Sequence, residues 1–118
     1  MTDKKRILFV DDDPMLLAGL QNVLHRERRR WEMTFALGGE AALAELAARA
    51  YDCVVTDLRM PVIDGTVVVQ TVKTVSPGTR CIVLSGSDSE PLAAKVDELL
   101  VKPCSARTLR ATLERLLH

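Results

Sequence analysis

The chain has 118 residues, 47 % hydrophobic and 27 % charged, and its 16 basic and 16 acidic side chains cancel. That balance suits one folded domain, excludes a disordered chain, and leaves no overall positive field of the kind that draws nucleic acid. Three cysteines, Cys53, Cys81 and Cys104, form no CxxC spacing, which argues against a disulfide framework and a zinc site.

The opening stretch MTDKKRILFV has no signal-peptide core, and no apolar run nears the roughly 20 residues that span a bilayer. A cytoplasmic protein without a membrane partner is expected. RILFV (6–10) is strand-sized, and LLAGLQNVL carries Leu16, Leu17, Leu20, Val23 and Leu24 at helical spacing. MTFAL (33–37) reads as a strand ending in Gly38-Gly39, and EAALAELAARA (40–50) is built from strong helix formers. CVVT (53–56) is a buried-type strand; Cys53 there, and Cys81 later, read as small buried hydrophobes. TVVVQTVKTV (66–75) is ambiguous: its β-branched residues suit a strand, while Val68, Val72 and Val75 share a helix face. The regular alternation around it favours helix. RCIVL (80–84) is a strand, SEPLAAKV (89–96) a short helix, ELLV (98–101) a strand, and SARTLRATLERLL (105–117) a helix.

Five strands alternating with five helices imply an α/β, doubly wound parallel sheet covered on both faces, within a single domain over 1–118. Ligands of such sheets bind beyond the carboxyl ends of the strands. Four of the five strands deliver chemistry there: Asp11-Asp12 after the first, Asp57 after the third, Ser85 after the fourth and Lys102 after the fifth. The second ends in glycines and reads as an outer strand with no part in the chemistry. Carboxylates from two strands suit Mg2+, a hard cation, and with no His or Cys at these strand ends zinc or copper is disfavoured. Mg2+, a lysine and a hydroxyl together make a phosphoryl pocket, with a carboxylate as acceptor. No P-loop or GxGxxG is present, so the phosphoryl group comes from outside. Asp13 stands before Pro14, as an N-cap does before a proline at the first helical position. Asp64-Gly65 reads as a turn and helix start. HRERRR (25–30) reads first as a solvated helix end, second as a docking surface, and last as a DNA contact.

The motifs ILFVDDDP, VVTDLRMPVIDG, VLSGS and VKP, in this order, resemble the receiver domain of bacterial response regulators (the CheY-like family) over the whole chain. The resemblance implies a flavodoxin-like (βα)5 sheet of strand order 2-1-3-4-5. It implies that Asp57 accepts a phosphoryl group from a histidine kinase or histidine phosphotransfer protein. It implies that Asp11, Asp12, Asp57 and the backbone carbonyl of Arg59 hold Mg2+, that Ser85 and Lys102 bind the phosphoryl oxygens, and that Gly86 leaves room for them. A cis peptide before Pro103, an effector or output domain, and a phosphorylation-dependent homodimer also follow from it; the even charge balance separately argues against direct nucleic-acid contact. The chain departs from the family at Leu99, a switch position where receivers often carry an aromatic ring. It also departs between Ser85 and Lys102, which is short by roughly one helical turn, so the fourth helix is expected to be stunted. Two other readings stand beside this one. A Mg2+-dependent aspartyl-phosphate phosphatase of the haloacid-dehalogenase type would need a second Asp where Arg59 stands. A degenerate receiver acting as a constitutive adaptor would lack the acids or the lysine, and all are present.

Overall fold

A computed structural model describes residues 4–87 and 95–118. β1 (Lys5–Asp11) leads to α1 (Pro14–Val23), a 3-10 helix (His25–Arg29), β2 (Trp31–Leu37) and α2 (Gly39–Ala48). β3 (Cys53–Asp57), α3 (Gly65–Val75), β4 (Arg80–Ser85), β5 (Glu98–Val101) and α4 (Ala106–Leu117) complete it. The strands form one parallel sheet of order β2-β1-β3-β4-β5, so β2 is an edge strand, as its glycine ending suggested. The helix expected over 89–96 falls mostly outside the described residues, and its last two positions, Lys95 and Val96, are not helical. The expected fifth helix is therefore α4 here.

Two apolar layers sandwich the sheet. On one face Leu8, Val10, Val54 and Val83 meet α2 and α3 through Ala42, Val68, Val69 and Val72. On the other Ile7, Phe9, Val55 and Ile82 meet α1 and α4 through Leu17, Leu109, Leu113 and Leu117. Alternate residues of each strand feed opposite layers, which is why the strands are apolar throughout. Cys53 and Cys81 face opposite layers, both fully buried. Burial pushes the Cys81 thiol up to about 11 and holds that of Cys53 far above its ordinary range.

The ambiguous valine segment is α3. Asp64 starts it by accepting the Thr66 and Val67 amides at 2.9 and 3.3 Å. Each buried valine contributes about 2 kcal/mol, against a helix-propensity cost of about 0.6 kcal/mol. Thr71 and Thr74 donate their hydroxyls to the carbonyls of Val67 and Gln70 at 2.9 and 3.0 Å, which satisfies both hydroxyls within the helix.

Strand limits differ from the sequence reading at the ends. β2 begins at Trp31 because Lys5 pairs with Trp31 in register, and the indole is buried in the layer that α4 covers. HRERRR forms a separate 3-10 helix after the buried Leu24 rather than the end of α1. There Arg30 stacks on Trp31 at 4.1 Å and, with Arg110, bonds Glu27. Among the described residues no helix is long and apolar enough to cross a membrane.

Candidate functional site

The parallel register sets the carboxyl ends of β1, β3, β4 and β5 along one edge. Asp11 closes β1 and is 2 % exposed; Asp12 is exposed beside it. Asp13 is the cap the sequence suggested: its Oδ1 accepts the Met15 and Leu16 amides at 2.9 and 3.4 Å, with Pro14 opening α1. The Asp13 amide in turn donates to Asp11 Oδ1 at 3.0 Å. The cap therefore also orients the first carboxylate.

Asp57 ends β3 and is 7 % exposed. Its following loop is pinned at both ends. The Leu58 amide donates to the Leu84 carbonyl at 3.0 Å, and the Gly65 amide to the Leu58 carbonyl at 2.8 Å. Oxygen atoms of Asp11, Asp12 and Asp57 lie within 4.8 Å of one another. Lys102 joins them from β5, with Nζ 3.0 Å from Asp57 Oδ1 and 3.4 Å from Asp11 Oδ2. Its amide donates to the Ser85 carbonyl at 2.7 Å, and the Lys102–Pro103 peptide is cis.

Electrostatics follow from this crowding. Burial raises the Asp11 pKa and the Asp57 charge adds to it, against the Asp13 amide and the Lys102 ammonium, which lower it. For Lys102, burial alone would lower the pKa. The Asp57 hydrogen bond and the Asp11 and Asp57 charges outweigh it and hold the ammonium above its ordinary value. The donor set is oxygen only, which fits a hard divalent cation of the Mg2+ class.

The remaining sequence candidates sit around this cluster. Ser85 is buried at the end of β4, where its hydroxyl donates to the Ser87 carbonyl at 2.8 Å and accepts the Ser87 amide at 3.2 Å. Gly86 is exposed, and among the described residues none beyond its chain neighbours comes within 4 Å of where a Cβ would stand. Arg59 is exposed in the loop after Asp57. Leu99, half-buried, pairs with Val83 and packs on the α2–α3 layer, so it stands on the sheet face away from α1 and α4. HRERRR lies at the opposite end of β1 and β2 from the acids, about 20 Å away for a strand of this length. One contact escaped the sequence reading: the Gly38 amide donates to the Asp11 carbonyl at 2.8 Å. A Gly-Gly pair between an apolar strand and a helix was its only signal.

The response regulator receiver domain family model matches residues 7–114. The transcriptional regulatory protein PrrA of Mycobacterium tuberculosis is 34 % identical over 96 % of this chain, which covers 50 % of that protein. The uncharacterized transcriptional regulatory protein YesN of Bacillus subtilis is 29 % identical over 95 % of the chain, which covers 32 % of it. The chain thus spans half or less of these relatives. Among solved structures, the response regulator protein TrrA of Thermotoga maritima, in complex with Mg2+ and BeF, superposes with a TM-score of 0.84 at 31 % identity, covering 96 % of this chain and 99 % of that one. The chemotaxis response regulator CheY4 of Vibrio cholerae gives 0.85 at 28 % identity, covering 98 % and 100 %.

Proposed function

As the chain belongs to the response regulator receiver domain family, a family of signalling modules, we propose that it takes a phosphoryl group onto Asp57 from a phosphohistidine. The donor is a histidine kinase or a histidine phosphotransfer protein. The observation that carries the reading is the convergence of Asp11, Asp12 and Asp57 oxygens within 4.8 Å with Lys102 Nζ 3.0 Å from Asp57. This reading takes 1–118 as one receiver domain and puts it in the cytoplasm.

An Asp57 carboxylate oxygen attacks the phosphorus, the phosphorus–nitrogen bond to the histidine breaks, and the imidazole keeps that electron pair. The product is an aspartyl phosphate. Asp11, Asp12, Asp57 and the Arg59 carbonyl would hold Mg2+, which supplies positive charge to the phosphoryl oxygens when bound. Lys102, already beside Asp57, pairs with the same oxygens and spreads their charge. Gly86 leaves the approach open. Ser85 exchanges its bonds to Ser87 for one to the phosphoryl group. That exchange biases a pre-existing equilibrium around β4 and β5 rather than creating a new fold. Leu99, packed beside Val83, would report the change by aliphatic repacking, with no ring to swing. An effector or output domain reads the result, and a phosphorylation-dependent homodimer is one form that output can take.

Arg59 stands where the phosphatase reading needs a second Asp, so nothing favours that reading over acceptance. The test is incubation with acetyl phosphate and Mg2+ followed by intact mass. A single phosphate adduct that disappears in Asp57→Ala is expected. No adduct, or one that persists in the variant, rejects the proposal.

A further inference from the structure

The turn after β2 touches both halves of the cation site. Gly38 adopts φ +88° and ψ 166°, a region essentially closed to side chains. Its amide extends the β1–β2 ladder to the Asp11 carbonyl, 2.8 Å away, and the positive φ then turns the chain into α2. Gly39, the buried first residue of α2, meets the other half. A Cβ there would lie 2.3 Å from the Ile63 carbonyl oxygen and 2.7 Å from the Ile63 Cβ and Cγ2.

Ile63 belongs to the loop that runs from Asp57 through Arg59 to α3. That loop is tight: the Ile63 amide donates to the Pro61 carbonyl at 2.8 Å across Val62, which has φ +67°. α2 has no room to withdraw, because Ala42 is fully buried and Leu46 packs on the same layer as Val10 and Val72. Ile63 packs on that layer too, so a side chain at residue 39 would press on the loop as well as on the helix, and the loop's exposed Val62 turn is the part with room to give.

We propose that the Gly38-Gly39 turn is a positioning element of the cation site, bracing the Asp11–Asp12 strand end against the loop that carries Arg59. The inference rests on the Mg2+ site of the preceding reading. Gly39 contributes no ligand; it sets where the loop's carbonyl stands. The alternative is a glycine needed only for packing, which would affect stability and leave cation affinity alone.

Mg2+ binding, followed by NMR titration, separates the two. Gly39→Ala should weaken the Mg2+ Kd by about tenfold or more, the usual cost of losing support behind a ligand. Gly19→Ala is the control for the substitution itself, since among the described residues outside its own helix backbone a Cβ there meets nothing within 4 Å. Leu117→Ala is the control for lost stability, since Leu117 is buried in the opposite layer. Both should keep the wild-type Kd. An unchanged Kd in Gly39→Ala overturns the brace alone, whereas a wild-type protein that binds no Mg2+ overturns the site reading and the brace with it. Should Gly39→Ala not fold, the wild type decides: Mg2+ must move the Gly38 and Ile63 amide resonances with the Kd of the site. Resonances that stay in place overturn the proposal.

Discussion

The Lys102 ammonium nitrogen stands 3.0 Å from Asp57 Oδ1 and is the cation through which β5 reaches β3. The same nitrogen is 3.4 Å from Asp11 on β1, so one side chain bridges three strand ends. Lys102→Ala removes the charge that would meet the phosphoryl oxygens, and phosphorylation by acetyl phosphate should slow by about 100-fold. Mg2+ should bind more tightly to the same variant, because a competing cation has left the carboxylates. A mass-spectrometric time course and a Mg2+ titration read the two effects. A weaker Mg2+ Kd would count against Lys102 as the competing charge.

The neighbouring aspartates should separate by assay. Asp12→Ala should abolish most Mg2+ binding, since it removes one of three converging carboxylates. Asp13→Ala should cost about 1 kcal/mol in urea unfolding, the usual value of an N-cap. Its effect on Mg2+ should be small, because the amide that bonds Asp11 remains. Similar Mg2+ losses in both would contradict the division of roles.

Val62 sits at φ +67°, a strained position for a β-branched residue, with its side chain 91 % exposed. The hydrogen bond from the Ile63 amide to the Pro61 carbonyl closes across it at 2.8 Å and would be kept by glycine. Val62→Gly should stabilise the fold by about 1 kcal/mol, seen as a higher urea midpoint at unchanged slope. A lower midpoint would mean that the side chain has a partner in solution.

Alkaline pH should expose the cost of burying Cys81. Its thiol pKa rises from 9.0 unfolded to about 11 folded, because burial disfavours the thiolate. Below pH 9 neither state ionises, and no stability is lost. Between pH 9 and 11 the unfolded state releases a Cys81 proton that the folded state keeps, so Cys81 takes away roughly 1.4 kcal/mol of stability per pH unit, on top of a like share from buried Cys53. Guanidinium unfolding of the wild type and Cys81→Ala across this window should show the shallower slope in the variant. Parallel slopes would remove Cys81 as the source.

Much of this protein is written locally. Apolar runs of strand length, punctuated by Gly, Pro and Asp, locate the strands, and the residue after each run is delivered to the same sheet edge by chain direction alone. That is why Asp11, Asp57, Ser85 and Lys102 were legible as one group. The cap at Asp13 was legible for the same reason, since Asp-Pro acts within one helical turn. Where local signals conflicted, burial decided: the valines of α3 are helical because three of them reach the core, a fact absent from their own propensities. Trp31 joins β2 because Lys5 lies opposite it, a partner from far along the chain.

By itself, then, the sequence determined the alternating architecture and the acids, hydroxyl and lysine on one rim, because these follow from short-range periodicity and strand polarity. Tertiary structure decided what only distant segments can set by meeting. Lys102 finds Asp57 and Asp11, and the basic run is placed about 20 Å from the acids. The Gly38-Gly39 turn, which looked inert in the sequence, lies against both Asp11 and Ile63 because parallel pairing and the packing of α2 bring three separate loops into contact.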